Sequence, residues 1–434
     1  MRYSFRDILT LAGSPGGRLR ILEGANQKAW PLLYPIASFH RRTLARRCRV
    51  VSVVGTFGKT TTQRAVSAAL GLDASRAGQG NSWSLLAEAI LAVQPEDRYA
   101  VIEVGISGTG QMARYARMIR PDITVVTSIG SEHHRSLRSP LATRAEKSLM
   151  LSALPSSGLA VLNGDDPHVL WMAGRTKART VTYGFGASND VRASEAALDW
   201  PRGTHLRLHA HGRTRELRVR VLGPHMVRCI LAAVAVALAE GLALGQIVPR
   251  LERLTPTPGR LEPVPLGNGA FLLRDDFKSA EETIASALDV LAEIPARRRI
   301  VVLGEVSEPV GSQEVLYRRL GERAARAASV IVFVTGRKNF QRYSAGATRA
   351  GMRREALVHA GRSVLAAAEA LKGEIGPGDV VLVKGRSDQR LDRVAFALQG
   401  RPVRCDVNLC RYEEIACDHC PMLERGWDGL RVVT

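Results

Sequence analysis

The string Gly55-Thr56-Phe57-Gly58-Lys59-Thr60-Thr61-Thr62 follows an apolar run at residues 50–54 and opens a helical pattern at 59–70. Strand, glycine-rich turn and helix in that order aim backbone N–H groups and the positive end of a helix dipole at one point, which suits a phosphate. The Lys59 ammonium then reaches the β- and γ-phosphates, and the Thr60 hydroxyl falls where Mg²⁺ binds. Such a chain is expected to bind ATP through Gly55, Thr56, Gly58, Lys59, Thr60 and Thr61. Val53 stands where the generic motif has its first glycine, so the loop is the shorter Gly-Thr-x-Gly-Lys-Thr form.

Short apolar runs at 50–54, 99–104, 123–127 and 159–162 alternate with helical patterns at 59–70, 84–93 and 142–154, the signature of a parallel sheet covered by helices. Residues 205–222 turn to period two around Gly212 and read as a half-exposed hairpin. Its outer face carries His205 and His209, either a solvated strand face or, with His211, a metal-binding one. An Ala-rich helix near 225–241 closes this core, and Thr255-Pro256-Thr257-Pro258-Gly259 reads as a linker. Further β/α alternation follows to about residue 400. A chain of 434 residues exceeds the length at which single cores stop growing, about 250–300. The expected layout is a short basic segment at 1–48, a central domain at 49–254, a smaller α/β domain at 255–400 and a Cys-rich tail at 401–434.

The formal charge is +20, and residues 1–49 carry ten Lys/Arg against Asp7 and Glu23. That bias suits polyanions, meaning nucleotides, anionic lipid or nucleic acid, and equally suits solvated helix faces. No apolar run reaches the length of about 18 residues that spans a bilayer, since the best, at 229–244, is broken by Glu240. No secretory signal is evident, and a cytoplasmic location is expected.

The shortened loop resembles that of the Mur ligases, which join amino acids or peptides to carboxylates in peptidoglycan assembly, and other landmarks of that family recur in order over roughly residues 50–400. Asn81-Ser82 resembles the Asn-rich turn after the second strand. Tyr99 to Glu103 resembles the strand ending in a Mg²⁺-binding acid. Arg120-Pro121-Asp122 to Gly130, then His133, resembles the segment with a metal-binding histidine. Lys147 falls where many members carry a carbamylated lysine, and Leu162-Asn163-Gly164-Asp165 matches an Asn-x-Asp turn. Gly259-Arg260 resembles the linker arginine that reaches the γ-phosphate, Asp276 the residue that holds the ribose, and Lys278 a lysine of the D-glutamate-adding branch. Gly304-Glu305 and Lys384-Gly385 resemble later loops of the ligase domain. By overall order the D-alanyl-D-alanine-adding branch is nearest.

The resemblance implies an α/β fold: a central P-loop parallel-sheet ATPase domain followed by a smaller Rossmann-like ligase domain. It also implies ATP-dependent amide formation between a carboxylate acceptor and an amino-acid or peptide amine through an acyl phosphate. Lys59, Glu103, His133, Lys147, Arg260 and Lys278 would be the catalytic set. Nucleotide would be bound by the loop residues with Asn81, Arg260 and Asp276, and Mg²⁺ by Thr60, Glu103, His133 and Lys147. Other readings stay open: Glu103 as a solvated acid, His134 in place of His133, Lys147 as a surface lysine, Lys278 as a helix cap.

Several positions depart from the family. Only 48 residues precede the loop strand, against about a hundred that grip a uridine-diphosphate sugar in the family, which implies that this domain is missing or vestigial. His225-Met226-Val227-Arg228-Cys229 lacks the usual asparagines, and Phe277-Lys278-Ser279 replaces the pattern of the dipeptide-adding branch. Four cysteines crowd the tail, Cys405, Cys410, Cys417 and Cys420, and read as structural Zn²⁺ ligands, unlinked buried thiols or a redox group; Cys48 and Cys229 read as core residues. The competing functions are a nucleic-acid-associated P-loop ATPase with a zinc-binding tail and a weakly active scaffold.

Overall fold

The computed structural model describes residues 12–13, 15–76, 80–131, 134–410, 416–420 and 422–426. The chain divides into two compact units, one of them Ala25–Thr257 and the other containing Pro258–Thr434, with the N-terminal helix parted between them at Gly24.

The first unit is built on an eight-stranded sheet. Its strands are β1 (Arg49–Val54), β2 (Tyr99–Glu103), β3 (Ile123–Val126), β4 (Leu159–Asn163), β5 (Arg179–Gly184), β6 (Val191–Asp199), β7 (Gly203–Ala210) and β8 (Arg213–Val219). They lie in the order β2-β1-β3-β4-β5-β6-β7-β8, parallel as far as β6 and antiparallel beyond. Strand β1 shows why the sequence reads as an unbroken apolar run. Val51 and Val53 belong to one core cluster and Val50 and Val54 to another, so both faces of the strand are covered. One cluster packs against α2 (Lys59–Leu70) and the Ala-rich α6 (Pro224–Ala239), the other against α1 (Pro15–Arg42), α3 (Trp83–Leu91), α4 (Gln111–Ile119) and α5 (Pro140–Ser152).

Helix α5 starts two residues before its expected position because Pro140 occupies the first turn and the Ser139 hydroxyl accepts from the Ala142 N–H. The basic N-terminal segment contains a 28-residue helix that periodicity misses, since Pro31 and Pro35 sit inside it. Strands β5 and β6 also went unread. The expected hairpin is β7–β8, and two of its histidines, His205 and His209, are engaged within the sheet. His205 pairs with Glu216 at 2.8 Å, and His209 lies 2.7 Å from Ser194 Oγ and 3.1 Å from Thr214 Oγ1.

The second unit has a six-stranded sheet, order β13-β12-β11-β14-β10-β9. These are β9 (Glu262–Pro265), β10 (Phe271–Asp275), β11 (Arg298–Leu303), β12 (Val330–Phe333), β13 (Leu357–His359) and β14 (Asp379–Lys384). All neighbours are parallel except edge strand β9, where Pro263 and Pro265 are tolerated because an edge need not donate outward. Helices α7 (Glu281–Glu293), α8 (Gln313–Ala327), α9 (Arg337–Arg349) and α10 (Asp392–Leu398) cover it. No helix among the described residues is long and apolar enough to cross a membrane.

Candidate active site

Strand β1 runs into the glycine loop, and α2 begins at Lys59. Gly55 has φ +145°, and a Cβ there would lie 1.9 Å from Thr127 Oγ1. Gly58 takes the left-handed conformation as the residue before α2, and no side chain caps that helix. A helix that begins in this way points the N–H groups of its first turn toward the loop, as phosphate binding requires. The segment after β3 braces the loop. Thr56 N donates to Ser128 O (2.7 Å), Phe57 N to Ser128 Oγ (3.1 Å), Gly130 N to Thr56 Oγ1 (3.0 Å) and Thr127 Oγ1 to Phe57 O (2.6 Å).

Two buried ammonium groups meet this loop. Lys59 Nζ donates to Thr56 O at 3.1 Å, and Lys147 Nζ, on α5, to Gly55 O at 2.7 Å. Lys147 is 1% exposed, which excludes the surface-lysine reading. Glu103 at the end of β2 is buried rather than solvated; its Oε2 accepts from Thr60 Oγ1 and its Oε1 from Asn81 Nδ2, both at 2.7 Å. The Thr61 hydroxyl lies 3.1 Å from that of Thr257. His133 lies outside the described residues.

A hydroxyl and a carboxylate side by side suit Mg²⁺, which takes one or two protein oxygens and completes its shell with water and phosphate. The donor set therefore fits a Mg–nucleotide ligand.

Behind the loop, Asp165 accepts from the Phe185 and Gly186 N–H groups, from Asn189 and from Arg228. Burial opposes its ionisation, but these donors outweigh it and its pKa is lowered. Asp166 accepts from Ile129 N at 2.9 Å and so steadies the bracing segment. Cys229, read from sequence as an ordinary core residue, has its thiol 3.6 Å from Gly58 O. Only its helical register under the loop could have signalled this.

In the second unit, β10 and β14 pair so that Asp275 and Lys384 fall side by side. Lys384 Nζ donates to Asp275 Oδ2 and to the Lys278 carbonyl, both at 2.6 Å. Burial lowers the Lys384 pKa, and Asp275 offsets only part of that. Asp276 is buried against Arg274 at 3.0 Å; burial lifts its carboxyl to about 6 despite the guanidinium. The linker approaches the same residue, because a Cβ on Gly259 would lie 2.7 Å from Asp276 Oδ1. Arg260 stacks over the Phe277 ring at 4.6 Å. Lys278 is half-buried.

Gln389, a residue sequence reasoning passed over, ties two loops together by accepting from Glu305 N at 2.8 Å and donating to Val334 O at 3.1 Å. Also unread was a cavity of about 510 Å³ beside the start of α9, lined by Arg337, Lys338, Arg342, His359 and Arg362.

The zinc expectation is not met. Among the described residues no three Cys, His, Asp or Glu side chains are grouped to hold a metal, and Cys405, Cys410, Cys417 and Cys420 are free thiols. Arg393 Nη1 donates to Cys405 Sγ at 3.3 Å, placing a guanidinium against a thiol that a metal would need. Cys417 packs with Phe396 and Leu423, and burial raises its pKa far above the usual thiol range.

A glycine-rich loop with an adjoining Thr–Glu pair, followed by a second α/β unit with buried acid–base pairs, has the parts that an ATP-dependent ligase needs. The Mur ligase middle domain family matches residues 53–237, and the Mur ligase, glutamate ligase domain family matches residues 259–387. The UDP-N-acetylmuramoyl-tripeptide–D-alanyl-D-alanine ligase of Mycobacterium tuberculosis (strain ATCC 25618 / H37Rv) is 31% identical over 374 residues, covering 80% of this chain and 72% of that one. The same enzyme of Escherichia coli (strain K12) is 28% identical over 286 residues, covering 65% and 63%. MurF from Acinetobacter baumannii aligns with a TM-score of 0.75 at 22% identity, covering 86% of this chain and 81% of that one. MurF ligase from Thermotoga maritima in complex with ADP aligns at 0.73 and 19%, covering 86% and 84%. The chain belongs to the Mur ligase family, whose members are ATP-dependent amide-forming ligases. Both domain matches are to ligases, against the reading of a nucleic-acid-associated ATPase.

Proposed function

We propose that this ligase adds an amino acid or short peptide to a peptide carboxylate, in the manner of the D-alanyl-D-alanine-adding relatives. The observation that carries the reading is the braced glycine loop with Lys59 and Lys147 on its carbonyls and Thr60 bonded to Glu103. A carboxylate is a poor electrophile, and transfer of the γ-phosphoryl group from ATP makes it an acyl phosphate. The loop N–H groups and Lys59 hold the phosphates and stabilise the charge that develops on the transferred group. Mg²⁺ held by Thr60 and Glu103 would neutralise the phosphate oxygens. The amine then attacks the acyl carbon, the C–N bond forms, phosphate leaves and the amine loses a proton.

Arg260 and Lys278 are assigned to the phosphoryl group and Asp276 to the ribose. His133, with a carbamylated Lys147, is assigned to a second metal. The cavity lined by Arg337, Lys338 and Arg362 suits the carboxylate that every incoming amino acid or peptide carries. The protein is incubated with Mg·ATP, a UDP-linked muramoyl tripeptide and D-alanyl-D-alanine, and products are read by mass. A product carrying the added dipeptide, with equimolar ADP, supports the reading. Nucleotide hydrolysis indifferent to every carboxylate and amine contradicts it.

A further inference from the structure

Within the first unit, residues 28–42 of α1 dock one face on that unit's core and leave the opposite face exposed. Trp30 packs edge-on against Trp83 and Tyr115, with ring centroids 5.6 and 6.0 Å away. Arg41 is buried, paired with Asp122 at 2.8 Å and bonded to the carbonyls of Ile119 and Arg120. This fixes the helix rotation. At 100° per residue, Lys28, Leu32, Pro35, Ile36, Phe39 and Arg42 then fall on the opposite, outward side. Leu32 is 69% exposed, Ile36 54% and Phe39 67%, and Leu44 just beyond is 58% exposed. Lys28, Arg42, Arg46 and Arg47 are exposed as well, and residues 25–47 contain no Asp or Glu.

An apolar stripe bordered by cations and free of acids matches an anionic lipid surface. Headgroup phosphates pair with the cations while the apolar side chains enter the acyl boundary. A protein partner would need a complementary acidic groove, whereas a bilayer satisfies the stripe and its border together. We propose that this face of α1 seats the enzyme on an anionic membrane surface.

Flotation of the full-length protein with vesicles of mixed phosphatidylcholine and phosphatidylglycerol, against pure phosphatidylcholine, tests it. Partitioning at least about tenfold stronger on the anionic vesicles is expected, weakening with salt. Leu32→Ser with Ile36→Ser and Phe39→Ser removes it, and so does Arg42→Gln with Arg46→Gln and Arg47→Gln, while ADP binding stays at the wild-type level. The second set touches only exposed side chains and keeps the test valid if the first fails to fold. No partitioning, equal partitioning on both vesicle types, or a wild-type dimer that the apolar triple variant dissolves would overturn the proposal.

Discussion

The glycine loop of the first unit and the C-terminal ends of β10 and β14 in the second handle charge in opposite ways. Around the loop, Lys59 and Lys147 rest on backbone carbonyls, and Glu103 accepts from a hydroxyl and an amide. At those contacts the two ammonium groups meet neutral carbonyl oxygens rather than a carboxylate. At the ends of β10 and β14, Lys384 is joined to Asp275 and Arg274 to Asp276, so charge is paired internally. A cradle for phosphate and a buried brace can both contain lysine; the nature of the partner distinguishes them.

Substitutions should separate the two regions. Lys384→Met strands the Asp275 carboxylate and is expected to lower unfolding free energy by about 3–5 kcal/mol, measured by urea titration. Combining it with Asp275→Leu should recover much of that loss. Lys59→Ala should leave the urea midpoint near wild type yet reduce kcat about 10²–10³-fold, measured as amine-dependent ADP release. A stability loss as large as that of Lys384→Met would erase the distinction. Asn81→Ala, which deprives Glu103 of its amide donor, should raise the Mg²⁺ concentration for half-maximal activity about tenfold with little change at saturating metal.

The smallest effect concerns Asp276. Its carboxyl is lifted by burial to about 6, so the folded chain holds this proton more tightly than the unfolded one. The stability it contributes is complete at low pH and is lost as pH rises from about 4 through about 6. Asp276→Asn should flatten that part of the urea-midpoint profile, and an unchanged slope would show that the proton resides elsewhere.

The loop was legible because its parts are contiguous: strand, glycines, Lys59 and Thr60 lie within one short string. Glu103 and Asn81 could be named from sequence, but their meeting at Thr60 depends on β1 and β2 being neighbours in the sheet. The Lys384–Asp275 pair spans 109 positions and is set by strand register, which no local pattern encodes. Helix α1 was hidden by Pro31 and Pro35, and β9 by Pro263 and Pro265, because proline argues locally against the element that packing enforces. The tail cysteines misled in the other direction, since spacing records ligand type but not the arginine that comes to lie against them.

Mass detection of the amide product with Lys59 intact and replaced is the most direct measurement of the central claim. The wild type should convert carboxylate, amine and ATP to one amide, one ADP and one phosphate, and Lys59→Ala should lose product and ADP together. ATP turnover without amide product, or amide formation that survives Lys59→Ala, would contradict it.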